Sequence, residues 1–196
     1  MLTITFIFIV FIMSDYILSI DIGIHNIGYA LYNIEEDKLY FDLYDVDSHL
    51  TSADKKCNVV VVRTKYISTF VDNVFSKYNI NKVIIERQVN NNTMAMELMY
   101  SLTACVYHYC KNIIIFDPKM KFTALGLTYT TKNKAHKKLS INIIYHYIQK
   151  YYPHLIEQFD NTEKQDDISD AMLMIFIYLN KGNVEGLMKI KDVIVN

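Results

Sequence analysis

Tryptophan is absent from this chain of 196 residues, proline occurs twice, glycine five times and cysteine three times. So little proline and glycine excludes a long flexible linker, a collagen-like repeat and a turn-dense β-sandwich. The cysteines, Cys57, Cys105 and Cys110, are too few and too scattered for a disulfide framework, and no CxxC pair suggests zinc. They read as core residues of a protein kept in a reducing compartment. Neither sign of charge is in excess: 20 Lys+Arg stand against 21 Asp+Glu. What is plentiful is apolar, 52% of the residues, which excludes a disordered chain and fits one domain with a sizeable core. The frequent Ile, Asn, Lys and Tyr match an AT-rich genome, which concerns the source and not the chemistry.

The longest apolar run, LTITFIFIVFI at residues 2–12, is shorter than the roughly 20 residues a membrane-spanning helix needs. It also lacks the basic start and the small-residue cleavage site of a secretory signal. Three readings stand for it: an extension ahead of a true start at Met13, an extra edge strand, or a weak membrane anchor. Residues 1–13 are therefore set apart from a domain at 14–196, and no stable membrane association is expected.

The pattern along that domain is mixed. Tyr16–Ile20 reads as a buried strand ending at Asp21, with a turn at Gly23. Asn26–Tyr32 and Lys38–Tyr44 read as a hairpin around the polar Asn33–Asp37. Ile67, Phe70, Val71, Val74, Phe75 and Tyr78 recur at helical spacing. Lys82–Ile85 predicts a strand stopping at Glu86, Thr93–Cys110 a Met- and Tyr-rich helix, and Asn112–Phe116 another strand. A loop is predicted from Asp117 to Asn133, then a helix from about Lys134 to Tyr151 stopped by Pro153. The last helix runs from about Asp166 to Asn180, ahead of the Lys181-Gly182 stop signal. Antiparallel strands followed by alternating helix and strand imply an α/β fold with helices on the faces of a mixed sheet.

Four acids stand out by position. Asp21 and Glu86 end strands, and Asp167 and Asp170 sit three apart at the start of the last helix, on one helical face. Strand-end acids lie at the carboxyl edge of a sheet, where open α/β sheets build their sites. Each alone has an ordinary reading as a turn former or a helix cap, and Asp166 is either the cap of its trio or a supporting acid behind the other two. Brought together, four carboxylates repel unless cations offset them. Hard divalent ions do so, Mg2+ above all, and two ions roughly 3.5–4 Å apart cleave phosphodiesters in known enzymes.

The motifs resemble the RNase H-like superfamily and, within it, the RuvC-type Holliday junction resolvases. Asp21-Ile22-Gly23 with Asn26-Ile27-Gly28 is similar to their first-strand motif. Ile85-Glu86-Arg87-Gln88 resembles the IERQ form of the poxvirus and yeast mitochondrial members, and Asp166-Asp167-Ile168-Ser169-Asp170-Ala171 resembles their late helix start. The resemblance covers about residues 16–180 and is strongest to the poxvirus resolvases, those of insect poxviruses included. It implies a five-stranded sheet, three antiparallel strands then parallel ones, flanked by helices. It implies Asp21, Glu86, Asp167 and Asp170 as ligands of two Mg2+ ions, with Mn2+ as a substitute, and a homodimer making paired symmetric nicks in a four-way DNA junction. A poxvirus member would process branched or concatemeric viral DNA in the host cytoplasm. The family's basic residue near the scissile phosphate matches Lys137 best, with Lys138 and Lys121 as competitors.

Charge segregation points the same way. Residues 111–150 hold eight lysines and one acid, Asp117. Lys121, Lys132, Lys134 and Lys138, with Arg87 of the IERQ motif, form the predicted DNA contacts, although a lysine-rich helix start is also an ordinary solvated face. Asn90-Asn91-Asn92 reads either as a junction contact or as a loop. The apolar Thr93–Cys110 helix, wider than one stripe, reads as buried or shared with a partner subunit. His25, His108 and His146 have no ligand spacing. Two other enzymatic readings compete: an RNase H-fold nuclease acting on RNA–DNA hybrids or other branched DNA, and an actin-like ATPase, which needs a second DxG loop that the chain lacks.

Overall fold

The computed structural model describes residues 15–54, 59–88, 92–125 and 133–179, with side chains omitted for 133–136. The apolar run at 2–12, Cys57, Asn90, Asn91 and Lys132 lie outside the described residues, as does the side chain of Lys134.

Strands β1 (Tyr16–Ile22), β2 (Asn26–Asn33) and β3 (Lys38–Asp45) form an antiparallel meander. Helix α1 (Val59–Lys77) crosses to β4 (Ile80–Glu86), and α2 (Thr93–Tyr109) crosses to β5 (Ile113–Phe116). Both crossovers return parallel to β1, giving the order β3-β2-β1-β4-β5, the expected five-stranded mixed sheet. Then follow α3 (Pro118–Ala124), α4 (Asn133–Tyr151), α5 (Ile156–Asp160) and α6 (Gln165–Leu179).

Period-2 alternation sorts the strand side chains between two cores. On one face Leu18, Ile20, Ile22, Val83 and Ile85 pack with Phe70 and Val71 of α1 and Leu98, Leu102 and Val106 of α2. On the other face Ile17, Ala30 and Ile84 pack with Ile143, Ile144 and Ile148 of α4 and nearly the whole of α6. By the same alternation Ser19 and Asp21 on β1, Gly28 on β2 and Glu86 on β4 face α6.

Three differences from the sequence expectations matter. Strand β1 runs past Asp21 to Ile22, because Ile22 pairs with Ile27 and is buried. Helix α1 begins at Val59, its valine run drawn into the helix by packing of Val62 and Tyr66 against the sheet. Most consequential, the predicted loop after β5 starts with helix α3. Asp117 caps it, its carboxylate accepting from the Lys119 N–H at 3.0 Å, and Pro118 occupies the first turn. Proline there loses no helical hydrogen bond.

The Asn run has a local role at its last residue: Asn92 caps α2, accepting from the Ala95 N–H. Cys110 is buried as expected. Within the described residues no helix is long and apolar enough to cross a membrane.

Candidate active site

The parallel register sets Ile20 beside Ile85, so the next residues, Asp21 and Glu86, stand side by side at the carboxyl ends of adjacent strands, Asp21 one residue before the last of β1. The turn after Asp21 is fixed from two sides. Gly23 donates its N–H to the Asn26 carbonyl at 2.9 Å, and a Cβ on Gly23 would lie 2.9 Å from that same oxygen, so only glycine fits without a shift. Arg63 of α1, 6% exposed, donates to the Ile24 carbonyl at 2.5 Å and to Asp47 Oδ1 at 2.6 Å. Asp47 also holds Nδ1 of His25 at 2.5 Å.

Helix α6 brings the remaining acids. Its first turn lies so close to β2 that a Cβ on Gly28 would fall 2.7 Å from the backbone carbonyl carbon of Asp167. Glycine at this position therefore sets how near the helix start approaches the sheet. One turn on, Asp170 joins the strand acids: Asp21, Glu86 and Asp170 each offer a carboxylate oxygen, all within 4.8 Å of one another. This is the one such cluster among the described residues. Asp167 stands outside it, on the turn before.

A lysine sits inside the acid cluster. Lys121, 3% exposed, places Nζ 2.7 Å from Glu86 Oε1 and 2.8 Å from Asp170 Oδ2. Helix α3 delivers it, starting at the sheet edge directly after β5. The side chain is thus buried among carboxylates and not part of an exposed basic stripe, because the predicted loop is a helix that turns this position inward. The signal that could have shown it was Asp117-Pro118, a cap followed by a first-turn proline.

Lys137, the residue expected near the phosphate, is half exposed and forms an ion pair with Asp166. Lys138 is exposed. Arg87, exposed, pairs with Asp117 at 2.7 Å while its N–H donates to the Phe116 carbonyl, so it ties the end of β4 to the start of α3. Sequence reasoning missed three positioning residues: Arg63, the space at Gly28, and the buried Ser140 of α4, which hydrogen-bonds Asp170.

The electrostatics follow from this crowding. Burial, and then the Glu86 charge, hold the Asp21 carboxyl well above the usual carboxylate range. Burial also raises Asp170, partly opposed by the Lys121 charge. Asp167 is pushed up to about 6 by burial and by the neighbouring Asp166 charge. Burial alone would lower Lys121, but the charges of Glu86, Asp170 and Asp21 overcome it and hold the ammonium firmly protonated. Burial raises Asp166, yet its bond to Lys137 brings it below the usual value.

The donor set is all carboxylate oxygen, without His or Cys, which suits a hard divalent cation such as Mg2+ or Mn2+ and not zinc. That a buried ammonium already lies between two of the acids shows that the cluster favours a cation.

The profile of the family described as Poxvirus A22 protein matches residues 15–181. No curated protein sequence matches the chain. Among solved structures, the yeast mitochondrial Holliday junction resolvase Ydc2 is similar over 91% of this chain and 83% of its own, at 15% identity and a TM-score of 0.59. RuvC of Thermus thermophilus in complex with a Holliday junction substrate is similar over 86% of this chain and 97% of its own, at 12% identity and a TM-score of 0.54. At these identities the likeness is one of fold, and the fold is RNase H-like.

Proposed function

The chain belongs to the poxvirus A22 family, the Holliday junction resolvases of that virus group, and we propose from that membership and the site geometry how it resolves junctions. It is a structure-selective, junction-resolving nuclease, a crossover junction endodeoxyribonuclease. The observation that carries the reading of its site is the convergence of Asp21, Glu86 and Asp170 within 4.8 Å on one sheet edge. These three would hold a divalent ion, Mg2+ or Mn2+, and Asp167, on the preceding turn of α6, is the carboxylate available to a second.

Such ions, when bound, supply an activated water and stabilise the leaving 3′ oxygen of a phosphodiester. The chain's own residues do the rest. Gly23 and Arg63 hold the turn that aims Asp21, Ser140 orients the Asp170 carboxylate, and the Gly28 contact sets the height of α6 above the sheet. Lys137, on α4, would align the phosphate or offset charge developing on it, in exchange for its present partner Asp166. Lys138, Arg87, Lys132 and Lys134 would contact flanking phosphates, making binding strongly salt-dependent.

We further take residues 14–196 as one nuclease domain that works as a homodimer, since paired symmetric nicks in a two-fold junction need two sites. Tyr100 and Tyr107, 60% and 55% exposed on α2, support that helix as the subunit interface. The products would carry 5′-phosphate and 3′-hydroxyl ends, and the setting would be viral DNA processing in the host cytoplasm. The test is cleavage of a four-way junction with and without Mg2+, beside duplex, flap and RNA–DNA hybrid controls. Paired nicks in the junction alone are expected. Preferential cutting of the hybrid would replace this reading with that of a ribonuclease.

A further inference from the structure

The mechanism just described leaves Lys121 without a task, yet it is the most deeply enclosed charge in the site. Its ammonium contacts Glu86 and Asp170 at 2.7 and 2.8 Å, and its side chain is 4% exposed. Those are two of the three carboxylates whose oxygens could receive a divalent ion. Mg2+ bonds to oxygen at roughly 2.0–2.1 Å, so an ion held on carboxylate oxygens that lie within 4.8 Å of one another would stand close to the Lys121 ammonium, and the two cations would repel.

We propose that Lys121 is a tethered counter-cation that competes with the divalent ion for Glu86 and Asp170, so that metal binding expels its ammonium from the cluster. The inference rests on the metal reading above. It follows from geometry and charge balance. Without a cation the three acids repel one another in a partly buried space. Lys121 relieves this in the metal-free protein and thereby weakens the pull on an incoming ion. Helix α3 suits the exchange, since its start is anchored by the Asp117 cap and by Arg87 while the four-carbon lysine stem can swing. Metal affinity in this protein is then set by a residue that is not a metal ligand.

Two measurements on the full chain test it, both with Mn2+ as the probe. In the first, the wild-type protein is exposed briefly to an amine-acetylating reagent and Lys121 is read by mass spectrometry. Lys121 should be among the least modified lysines without metal, and its modification should rise severalfold with Mn2+. In the second, Mn2+ binding is titrated calorimetrically. Lys121→Met should bind roughly tenfold more tightly or better, the equivalent of one relieved pKa-sized interaction. Lys121→Arg, which keeps the charge, should stay near wild type. Mn2+ binding with Lys121 still protected from acetylation overturns this inference alone, as does a Lys121→Met protein that is folded by circular dichroism and binds no more tightly. Absence of Mn2+ binding to all three proteins overturns the metal reading and this inference with it. The acetylation arm needs no variant, so misfolding of Lys121→Met leaves the test intact.

Discussion

Replacing Asp167 by asparagine should make the metal-free protein more stable at neutral pH. Burial and the adjacent Asp166 charge raise the Asp167 carboxyl from 3.8 to about 6. Its ionised form is therefore disfavoured in the folded protein relative to the unfolded chain. The direction in pH follows from linkage. Below the unfolded value near 4 the group is protonated in both states and costs nothing. The penalty grows as pH rises from 3.8 towards about 6 and is complete above that. A shift of about two units at ~1.4 kcal/mol each sets a ceiling of about 3 kcal/mol, and residual solvent screening brings the expectation to about 2 kcal/mol. For a domain of this size that corresponds to a rise in Tm of roughly 4–8 °C. Thermal melts by circular dichroism in EDTA, at pH 4, 5, 6 and 7.5, read the effect directly. The variant should melt with wild type at pH 4 and draw ahead through pH 6. Added Mg2+ should narrow the gap, since a bound ion relieves repulsion only where the carboxylate remains. A variant that melts at or below wild type at pH 7.5, or that gains equally at pH 4, refutes the assignment of strain to this carboxylate.

Gly28→Ala places a methyl carbon 2.7 Å from the Asp167 backbone and must push α6 away; a displacement of this kind costs on the order of 10²-fold in cleavage, with junction binding retained in gel shifts. Asp21→Asn removes a cluster acid and should abolish cleavage while leaving junction binding intact; turnover by the variant would end its role as a metal ligand. Lys137→Ala should lower the single-turnover cleavage rate more than it weakens binding, whereas equal losses would make Lys137 a phosphate contact only.

Much of the fold is written locally. The strands follow from β-rich runs bounded by Gly and polar turns, and the acids Asp21 and Glu86 are visible because each closes a largely apolar strand run, Ile17–Ile20 and Val83–Ile85, at the sheet edge. What fails is what depends on contacts between distant segments. The valines before Ile67 argue weakly for helix on their own, and only Val62 and Tyr66 against the sheet settle the matter. Gly28 is legible as a motif residue, but its work, leaving room for Asp167, involves residues 139 positions apart. Lys121 is the plainest case. Its neighbours in sequence make it one lysine of a basic stretch, and its burial becomes visible only once α3, β4 and α6 are assembled around it.

How a fold tolerates several carboxylates held above their ordinary ionisation range is a question of what anchors α6. Directly after Asp170, residues 171–177 are all buried, with Met172, Leu173, Met174 and Ile175 fully so. Each large apolar side chain withdrawn from water contributes ~1.5–3 kcal/mol, so a handful outweighs the ~2 kcal/mol strain at Asp167. The helix is therefore pinned by its apolar length and carries its strained acids in its half-buried first turns. The two functions should separate by mutation. Ile177 lies seven residues, or about 10.5 Å of helix, beyond Asp170. Ile177→Ala should cost ~2–5 kcal/mol in denaturant unfolding through the cavity it leaves. Cleavage per folded molecule at low temperature should stay within about twofold of wild type, because sites so far apart act nearly independently. If instead cleavage falls as steeply as in Gly28→Ala, the helix moves as one lever, and anchoring and active-site geometry are a single property of α6.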